Sequence, residues 1–274
     1  MQQLGARYDA CFKRLGPNEG VFVPFLMLGD PDPDTSRRLL RAVLDAGADS
    51  LELGLPFSDP IADGSVVQEA ALRARRAGTS IEAALDLVRE LRDSAPDVPL
   101  GLLTYANLVA HRGPQDFYAR AAKAGLDSVL VADLPSMEAA PFVAAAAEQG
   151  IASIMLAPTN LSRRAAERVA RLGSGYTYCV TRRGVTGARS ELSLDHGALF
   201  AMLSELGAPP PLLGFGIAKP EHVRAALASG ASGAICGSAL IRLIEPYLDE
   251  PAQAARAAAT FVQQMKDATR PHDH

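Results

Sequence analysis

The chain has 274 residues, of which 48% are apolar and 21% are charged, and its formal net charge at pH 7 is −4. This composition supplies enough apolar side chains for a sizeable core and is unlike that of a disordered chain. The small negative charge offers no basic surface for nucleic acid. No apolar run approaches the roughly 20 residues that a membrane-spanning helix requires.

Cysteine and histidine usage narrows the class of protein further. Cys11, Cys179 and Cys236 are far apart, and the last two lie in apolar runs. They are therefore predicted to be buried free thiols, which is typical of a reducing cytoplasm. The five histidines are never spaced four residues apart and never lie close to a cysteine, so we predict no metal site.

Helices and strands alternate along the predicted chain. A helix within residues 1–18 is followed by a first strand, "VFVPFLML" (21–28), and by a helix in "TSRRLLRAVLDAG", whose apolar residues repeat along one face. A second strand follows in "DAGADSLELG". Further helices are predicted at 80–93 and 220–230, and a last helix with a frayed tail at 252–274.

Four segments share one pattern, in which a glycine is followed by small or polar residues and then by an apolar run. They are "DAGADSLELG" from 45, "KAGLDSVLVAD" from 123, "EQGIASIMLAP" from 148 and "ASGASGAICG" from 228. A helix commonly ends at such a glycine before a short turn into a strand. The remaining apolar runs lie at 21–28, 98–105, 175–180 and 211–216, which gives eight predicted strands in all.

The alternation of apolar strands with helices is typical of a parallel sheet that is covered on both faces. Eight such units in about 250 residues predict an α/β fold, the (β/α)8 TIM barrel, with extra terminal and short helices. A doubly wound open sheet is the alternative. Because no linker rich in proline or serine divides the chain, we expect a single domain over residues 1–274.

The second strand carries a carboxylate. Leu51, Leu53 and Leu55 alternate as on one buried face of a strand, so Glu52 points to the other face. In a barrel of this kind, catalytic residues lie at the C-terminal ends of the strands. Flanked by leucines, Glu52 is expected to be partly desolvated, which raises its pKa toward the range useful for acid–base catalysis. The alternative is a structural ion pair with an arginine of a neighbouring strand.

The loop after this strand, "PFSDPIADG", is acidic and stiff. Each proline fixes its own φ angle and keeps the residue before it out of the helical conformation. The loop is therefore expected to be preformed. It offers Asp59 and Asp63 at the same end of the barrel as Glu52. Either aspartate could instead cap the helix that is predicted to begin near Ser65. The pattern leaves open which of them works with Glu52.

Glycines follow the last three predicted strands. Gly184 and Gly187 follow strand six in "TRRGVTGA", Gly216 follows strand seven in "GFGIAKP", and Gly237 precedes Ser238 after strand eight. Phosphate sites in these barrels are commonly built from the loops after strands seven and eight. Exposed N–H groups and the Ser238 hydroxyl can bind an anion, so we expect a phosphate on the rim opposite the carboxylates.

Six sequence blocks occur in an order typical of one enzyme family. They are "FVPFLMLGDPD", "GADSLELGLPFSDPIADG", "GLLTYANLV", "DSVLVADLP", "GYTYCVTRRGVTGA" and "GFGIAKPEHVRAALASGASGAICGSAL". Together they resemble the tryptophan synthase alpha subunit over roughly residues 20–245. The resemblance implies a carbon–carbon lyase of tryptophan biosynthesis, which cleaves indole-3-glycerol phosphate to indole and D-glyceraldehyde 3-phosphate without a cofactor of its own. It also implies an α2β2 assembly with a beta subunit, which carries pyridoxal phosphate and makes L-tryptophan from indole and serine.

The resemblance also implies roles for individual residues. Glu52 and Asp63 would be catalytic, and Asp59 and Pro60 would lie in a loop that faces the beta subunit. The residues implied to bind the phosphate are Gly187, Phe215, Gly216, Gly237 and Ser238. Those implied to surround the indole or to close over it are Phe25, Tyr105, Tyr178 and Thr186. For Phe25 and Tyr178 the alternative is plain core packing.

The reaction that the resemblance implies gives each of the two carboxylates a separate role. Cleavage requires protonation of indole C3, which leaves positive charge at the ring nitrogen. Glu52 is expected to donate this proton and then, once ionised, to accept the proton of a glycerol hydroxyl. Asp63, kept ionised in a wetter loop, is expected to hydrogen-bond the indole N–H and to stabilise the cation.

Two other functions remain open from the sequence. Another phosphate-binding barrel, such as an isomerase of a phosphorylated sugar or amine, would share the phosphate rim, and release of indole would distinguish the two. A non-catalytic barrel that only activates a partner is the second alternative. The presence of both Glu52 and Asp63 argues against it, because a scaffold gains nothing from carboxylates at a barrel mouth.

Overall fold

Strands and helices alternate in the computed structural model, which describes residues 4–180 and 196–271. The strands are β1 (Val21–Met27), β2 (Leu51–Gly54), β3 (Leu100–Thr104), β4 (Ser128–Val131), β5 (Ala152–Ser153), β6 (Met155–Pro158), β7 (Thr177–Val180), β8 (Pro211–Gly214) and β9 (Gly233–Cys236). The helices are α1 (Ala6–Lys13), α2 (Pro33–Asp45), α3 (Ser65–Arg76), α4 (Ile81–Ser94), α5 (Ala106–Ala110), α6 (Pro114–Lys123), α7 (Ala140–Glu148), α8 (Arg163–Leu172), α9 (Gly197–Glu205), α10 (Pro220–Ala228), α11 (Ser238–Ile244) and α12 (Pro251–Asp267).

The strands form one parallel sheet that closes on itself. Their order is β5–β4–β3–β2–β1–β9–β8–β7–β6, and its two ends are halves of one chain segment interrupted at Ile154. Ala152 in β5 pairs with Ser128 in β4, whereas Met155 in β6 pairs with Thr177 in β7. The predicted (β/α)8 barrel is therefore confirmed, with its fifth strand split in two. The alternative of an open sheet is wrong.

Local sequence signals fix where the helices begin. Asp32 caps α2 by accepting hydrogen bonds from the N–H groups of Asp34 and Thr35, each at 2.9 Å. Ser80 caps α4 in the same way, from the N–H of Ala83 at 3.1 Å. These side chains satisfy backbone donors that have no partner inside the helix. Within the described residues, no helix combines the length and the apolar character needed to cross a membrane.

Side chains of the strands alternate between two apolar layers. Leu51, Leu53 and Leu55 pack outward, in the layer between the sheet and the helices. The inward-facing residues form a separate cluster inside the barrel, which includes Tyr8 of α1 and Tyr176. Because successive side chains of a strand point to opposite faces, Glu52 is directed into the barrel interior. All three cysteines are buried free thiols, as predicted.

Helix α1 covers the N-terminal end of the barrel. The Tyr8 ring contacts the Tyr176 ring edge to face, with centroids 5.4 Å apart, and its hydroxyl lies 2.7 Å from Ser128 Oγ. A Cβ at Gly101, inside the barrel, would lie 3.0 Å from the Tyr8 hydroxyl and 2.9 Å from Ser128 Oγ. Glycine at this position of β3 therefore leaves room for the polar side chains below Glu52.

A buried ion-pair cluster joins α12 to the same end of the barrel. The Lys266 ammonium lies 2.9 Å from Asp49 Oδ2 and 3.1 Å from Glu19 Oε1. Asp49 Oδ2 also accepts a hydrogen bond from the Phe22 N–H at 2.8 Å. The cluster ties the C-terminal helix to the segments that lead into β1 and β2. The N-terminal end of the barrel is thus closed by packing and charge, which leaves the C-terminal end for a site.

We expect Lys266→Met to lower the free energy of unfolding by about 3 kcal/mol, because it leaves two carboxylates without their buried cation. This is the lower end of the usual cost, since Arg14 still lies 3.8 Å from Asp49. Lys123→Met, at an exposed lysine in α6, is the matched control. Urea unfolding monitored by circular dichroism measures both variants. A loss for Lys266→Met that equals the control would contradict the structural role.

Candidate active site

Glu52 is enclosed in the barrel interior. It lies in β2 between Phe25 of β1 and Gly101 of β3, and only 1% of its surface is exposed. The Tyr176 hydroxyl donates a hydrogen bond of 2.7 Å to Glu52 Oε1. The other oxygen, Oε2, has no hydrogen-bond partner among the residues that the structure describes. One carboxyl oxygen is therefore anchored, and the other is buried without a partner.

This environment makes Glu52 a weak acid. Burial raises its pKa from the usual 4.5 to about 7, the Tyr176 hydrogen bond lowers the pKa, and the charge of Asp63 raises it. The direction is the predicted one, but the cause differs from the prediction. Leu51 and Leu53 belong to the outer layer, so the interior of the barrel, rather than the flanking leucines, removes water from Glu52. A buried carboxyl that titrates near neutrality can both donate and accept a proton.

The alternative interpretation of Glu52 as half of a structural ion pair is wrong for residues 4–180 and 196–271. Within these ranges no arginine or lysine pairs with Glu52, and its hydrogen bond comes from the neutral hydroxyl of Tyr176. The buried acidic residue that does pair with arginine at this end of the barrel is Asp30. It forms two hydrogen bonds with Arg73 of α3, at 2.8 and 2.9 Å.

Asp63 is the half-buried second carboxylate, in the loop between β2 and α3. Burial raises its pKa, whereas the nearby Tyr105 hydroxyl lowers it. That hydroxyl is itself buried and lies outside normal hydrogen-bond geometry with any described residue. Asp63 is more exposed to water than Glu52, as predicted, but it is still buried enough for its pKa to be raised. The two carboxyls thus differ in the degree of their enclosure.

The loop that carries Asp63 is held by its own backbone and by α3. The Asp63 N–H donates to the Pro60 carbonyl at 3.0 Å, and the Gln68 side-chain amide donates to the Asp63 carbonyl at 2.9 Å. Helix α3 has Gly64 at its N-cap and no side-chain cap, so the capping interpretation of Asp59 and Asp63 is wrong. The Asp63 carboxylate is consequently free of any capping hydrogen bond.

A cavity of about 350 Å³ opens at the C-terminal ends of the strands. It has the size of a small-molecule site. The predicted site residues that line it are Phe25, Asp63, Tyr178, Phe215, Gly216, Gly237 and Ser238. Glu52 and Tyr105 are buried beside the site and do not line the cavity. Thr186 and Gly187 lie outside the described residues.

The rim opposite Asp63 has an unusual backbone. Phe215 and Gly216 both have positive φ angles, of 66° and 78°. A bulky side chain in this region is strained, and such strain is typical of functional sites. The Phe215 ring contacts the Tyr178 ring, with centroids 6.1 Å apart, and a Cβ at Gly214 would come within 2.4 Å of Tyr178. Glycine at position 214 therefore allows Tyr178 to occupy the cavity wall.

Sequence reasoning missed three residues of the site. Tyr176 precedes Tyr178 by two residues in "GYTYCV", so the strand period already placed both on the interior face. Gln68 follows Asp63 by five residues, within the first turn of α3. Arg242 lines the cavity and follows Ser238 by four residues in α11, a spacing that puts both on one helix face.

The chain matches a family model described as "Tryptophan synthase alpha chain" over residues 12–270. It belongs to this family. A tryptophan synthase alpha chain from Vibrio cholerae serotype O1 (strain ATCC 39541) is 49% identical over 265 residues, which are 96% of this chain and 99% of that one. The protein of the same name from Escherichia coli (strain SMS-3-5) is 47% identical over the same shares.

Solved structures of the same family have the same fold. Tryptophan synthase subunit alpha from Legionella pneumophila str. Paris superposes with a TM-score of 0.85 at 30% identity, covering 96% of this chain and 98% of that chain. An alpha subunit in a structure of the tryptophan synthase α2β2 complex of Pyrococcus furiosus superposes with a TM-score of 0.82 at 35% identity, covering 90% and 98%. The predicted family and barrel are confirmed.

We expect Tyr176→Phe to raise the pKa of Glu52 above its value of about 7, because the hydrogen bond that favours the carboxylate is lost while the burial remains. Carbon-13 NMR of a sample with labelled glutamate carboxyls follows the titration directly. Tyr118→Phe removes the hydroxyl of a buried tyrosine of the outer layer and serves as the matched control. An unchanged or lowered pKa of Glu52 in Tyr176→Phe would contradict the contribution of this hydrogen bond.

Proposed function

We propose that this chain cleaves indole-3-glycerol phosphate to indole and D-glyceraldehyde 3-phosphate with Glu52 as the proton-transfer residue and Asp63 as the stabilising carboxylate. The observation that carries the assignment is the pair itself. A fully buried carboxyl with a pKa of about 7 lies within electrostatic reach of a less buried carboxyl that lines the cavity. Two carboxyls in different environments can act as acid and as anion at the same pH.

The first step is proton transfer to indole C3. At neutral pH a substantial fraction of Glu52 is protonated, because its pKa is about 7. Glu52 does not line the cavity, so its side chain turns toward the substrate and gives up the hydrogen bond from Tyr176. Oε2, which has no partner among the described residues, is the oxygen available to carry the proton. The C3–H bond forms, and positive charge develops at the ring nitrogen.

Asp63 stabilises this charge. Its carboxylate lines the cavity and is free of capping hydrogen bonds, so it can accept one from the indole N–H. A fixed anion next to a developing cation lowers the energy of the transition state, provided that the anion is already in place. The hydrogen bonds of the loop to Pro60 and Gln68 hold it there.

Cleavage then follows from collapse of the cation. The bond between C3 and the glycerol carbon breaks, and its electron pair restores the aromatic indole ring. The hydroxyl on that carbon becomes the aldehyde as its proton passes to the Glu52 carboxylate. Glu52 ends the cycle protonated, as it began. Both proton transfers use an acid and a base of this chain, so the proposed mechanism assigns no cofactor to it.

The remaining predicted residues hold the two ends of the substrate. We assign the phosphate to the rim formed by Phe215, Gly216, Gly237 and Ser238, which line the cavity and carry backbone N–H groups and a hydroxyl that can donate to it. Phe25 and Tyr178 line the apolar part, which suits the indole ring. Tyr105 acts on Asp63 rather than on the substrate, since it lies outside the lining. Gly187 and Thr186, implied by resemblance alone, complete the assignment.

We place the partner on the loop 56–64. Asp59 is exposed, and Ile61 between Pro60 and Asp63 has 79% of its surface exposed, so this loop offers an apolar and an acidic side chain to a partner. The structure of the Pyrococcus furiosus relative is that of a tryptophan synthase α2β2 complex, in which the subunits activate each other. We propose the same α2β2 assembly here, with pyridoxal phosphate on the beta subunit. The free thiols suit a cytoplasmic location.

We expect Glu52→Gln to lower the rate of indole release by at least about 10²–10⁴-fold, the worth of one general acid–base group, because this residue has two linked roles. Asp63→Asn should also cripple turnover while leaving glycerol-phosphate binding intact. Indole fluorescence reports the reaction directly, since the chain contains no tryptophan. A folded, ligand-binding Glu52→Gln protein that releases indole at nearly the parental rate would overturn the mechanism.

Stability provides an internal control for the same variant. The folded-state pKa of Glu52 is about 7, above its usual 4.5, so the buried carboxyl favours its protonated form. Its ionisation therefore destabilises the fold as the pH rises from about 4.5 through 7. Glu52→Gln should raise the melting temperature relative to the parent at pH 8 and gain less at pH 4. A lower melting temperature at pH 8 would indicate a structural role instead.

We expect Pro60→Gly to weaken both activation by the beta subunit and the lyase step. Glycine frees the backbone on both sides of the bend, and Asp63 loses its fixed position. Indole release with and without the beta subunit measures the two effects. Pro251→Gly, at the start of α12 and away from the loop, is the matched control. Parental activity of Pro60→Gly in the presence of the partner would show that the loop does not link the two subunits.

A further inference from the structure

Arg242 is the one cationic side chain among the described residues that line the cavity. It lies in α11, is largely exposed, and forms no ion pair or hydrogen bond with another described residue. Arg73, another arginine near this end of the barrel, instead forms hydrogen bonds with both oxygens of Asp30. A guanidinium without an anion, on the wall of a cavity, is available to a ligand.

The helix directs Arg242 toward the phosphate rim. Arg242 follows Ser238 by four residues in α11, so the two side chains lie one above the other on the same face. Side chains of a helix lean toward its N-terminus, which brings the long arginine side chain back over Ser238. Both residues line the same cavity, as this geometry requires.

The charges of the site favour a cationic group near the phosphate. Asp63 lines the cavity, and Glu52 lies beside it, so an ionised site would repel a substrate that carries a phosphate dianion. Peptide N–H groups and the Ser238 hydroxyl supply only partial positive charge. A guanidinium supplies a full charge and parallel N–H donors that match two phosphate oxygens. Arg242 and Asp63 line the same cavity but form no ion pair with each other, so the guanidinium remains available to the phosphate.

We propose that Arg242 binds the substrate phosphate directly and gives the cavity its selectivity for phosphorylated over unphosphorylated substrates. This inference rests on the proposed function, because it assumes that the phosphate occupies the rim formed by Gly216, Gly237 and Ser238. The guanidinium contacts a part of the substrate that does not change during the reaction. Its binding energy is therefore shared by the ground state and the transition state, and it acts on KM more than on kcat.

Arg242→Gln tests the proposal, since it removes the charge from a largely exposed position and leaves the fold undisturbed. We expect the affinity for glycerol phosphate to fall by roughly 10- to 100-fold, the range for loss of a hydrogen bond to a charged group. KM for indole-3-glycerol phosphate should rise by a similar factor, and kcat should change much less. Arg242→Lys should recover part of the affinity, because it restores the charge without the planar fork.

Arg256→Gln is the matched control, because it removes the same charge from an exposed position of α12 that does not line the cavity. Its affinity for glycerol phosphate should equal that of the parent. Binding of indole itself should be the same in all the variants, which separates loss of phosphate recognition from damage to the cavity. The affinity of the parent should also decrease with ionic strength more steeply than that of Arg242→Gln.

The possible outcomes separate this inference from the proposed function. Arg242→Gln that binds glycerol phosphate within about twofold of the parent would overturn the role of Arg242, even if the parent releases indole normally. A parent protein that binds glycerol phosphate through Arg242 but releases no indole would overturn the proposed function and leave the phosphate contact in place. A loss of indole binding in both Arg242→Gln and Arg242→Lys would also contradict the proposal.

Discussion

The site depends on the enclosure of one carboxyl group inside a parallel barrel. Glu52 is removed from water by the interior cluster, and this burial is the largest influence on its pKa of about 7. Water can be excluded from Glu52 only if the N-terminal end of the barrel is closed. Tyr8 of α1 fills the N-terminal end against Tyr176 and Ser128, so the same packing that seals the barrel positions the residue that anchors Glu52. The packing that closes the barrel therefore also sets the pKa of Glu52.

The two ends of the barrel have opposite properties for a related reason. At the N-terminal end, Lys266 lies between Asp49 and Glu19, and the charges there satisfy one another. At the C-terminal end, Asp63 and Arg242 line the cavity without forming an ion pair with each other. Charges that remain uncompensated by the fold are available for a ligand that carries the complementary groups. The proposed substrate, with an N–H at one end and a phosphate at the other, would provide that complement.

The sequence was sufficient for features that repeat locally. The alternation around Glu52 placed it inside the barrel, and the glycines after the last two strands, Gly216 and Gly237, indicated which loops line the cavity. The sequence was insufficient for contacts between residues that are far apart along the chain. Tyr176 lies 124 residues from Glu52, and periodicity shows which face a residue occupies but not what lies opposite. For that reason the sequence predicts that the leucine neighbours bury Glu52 and allows Asp63 to cap α3, whereas the interior of the barrel buries Glu52 and α3 has no side-chain cap.

In the proposed mechanism, the interaction between Glu52 and Asp63 allows one residue to act first as an acid and then as a base. The negative charge of Asp63 raises the pKa of Glu52, so an ionised Asp63 keeps the proton on Glu52 before the reaction. When the indole becomes cationic next to Asp63, its charge offsets that of the aspartate, and the ionised form of Glu52 is stabilised. Collapse of the cation removes this positive charge, so the affinity of Glu52 for a proton returns at the moment when the glycerol hydroxyl must lose one. In this proposal the charge of the intermediate favours each proton transfer in turn, and the mechanism requires that the two carboxyls remain close together in environments of unequal burial.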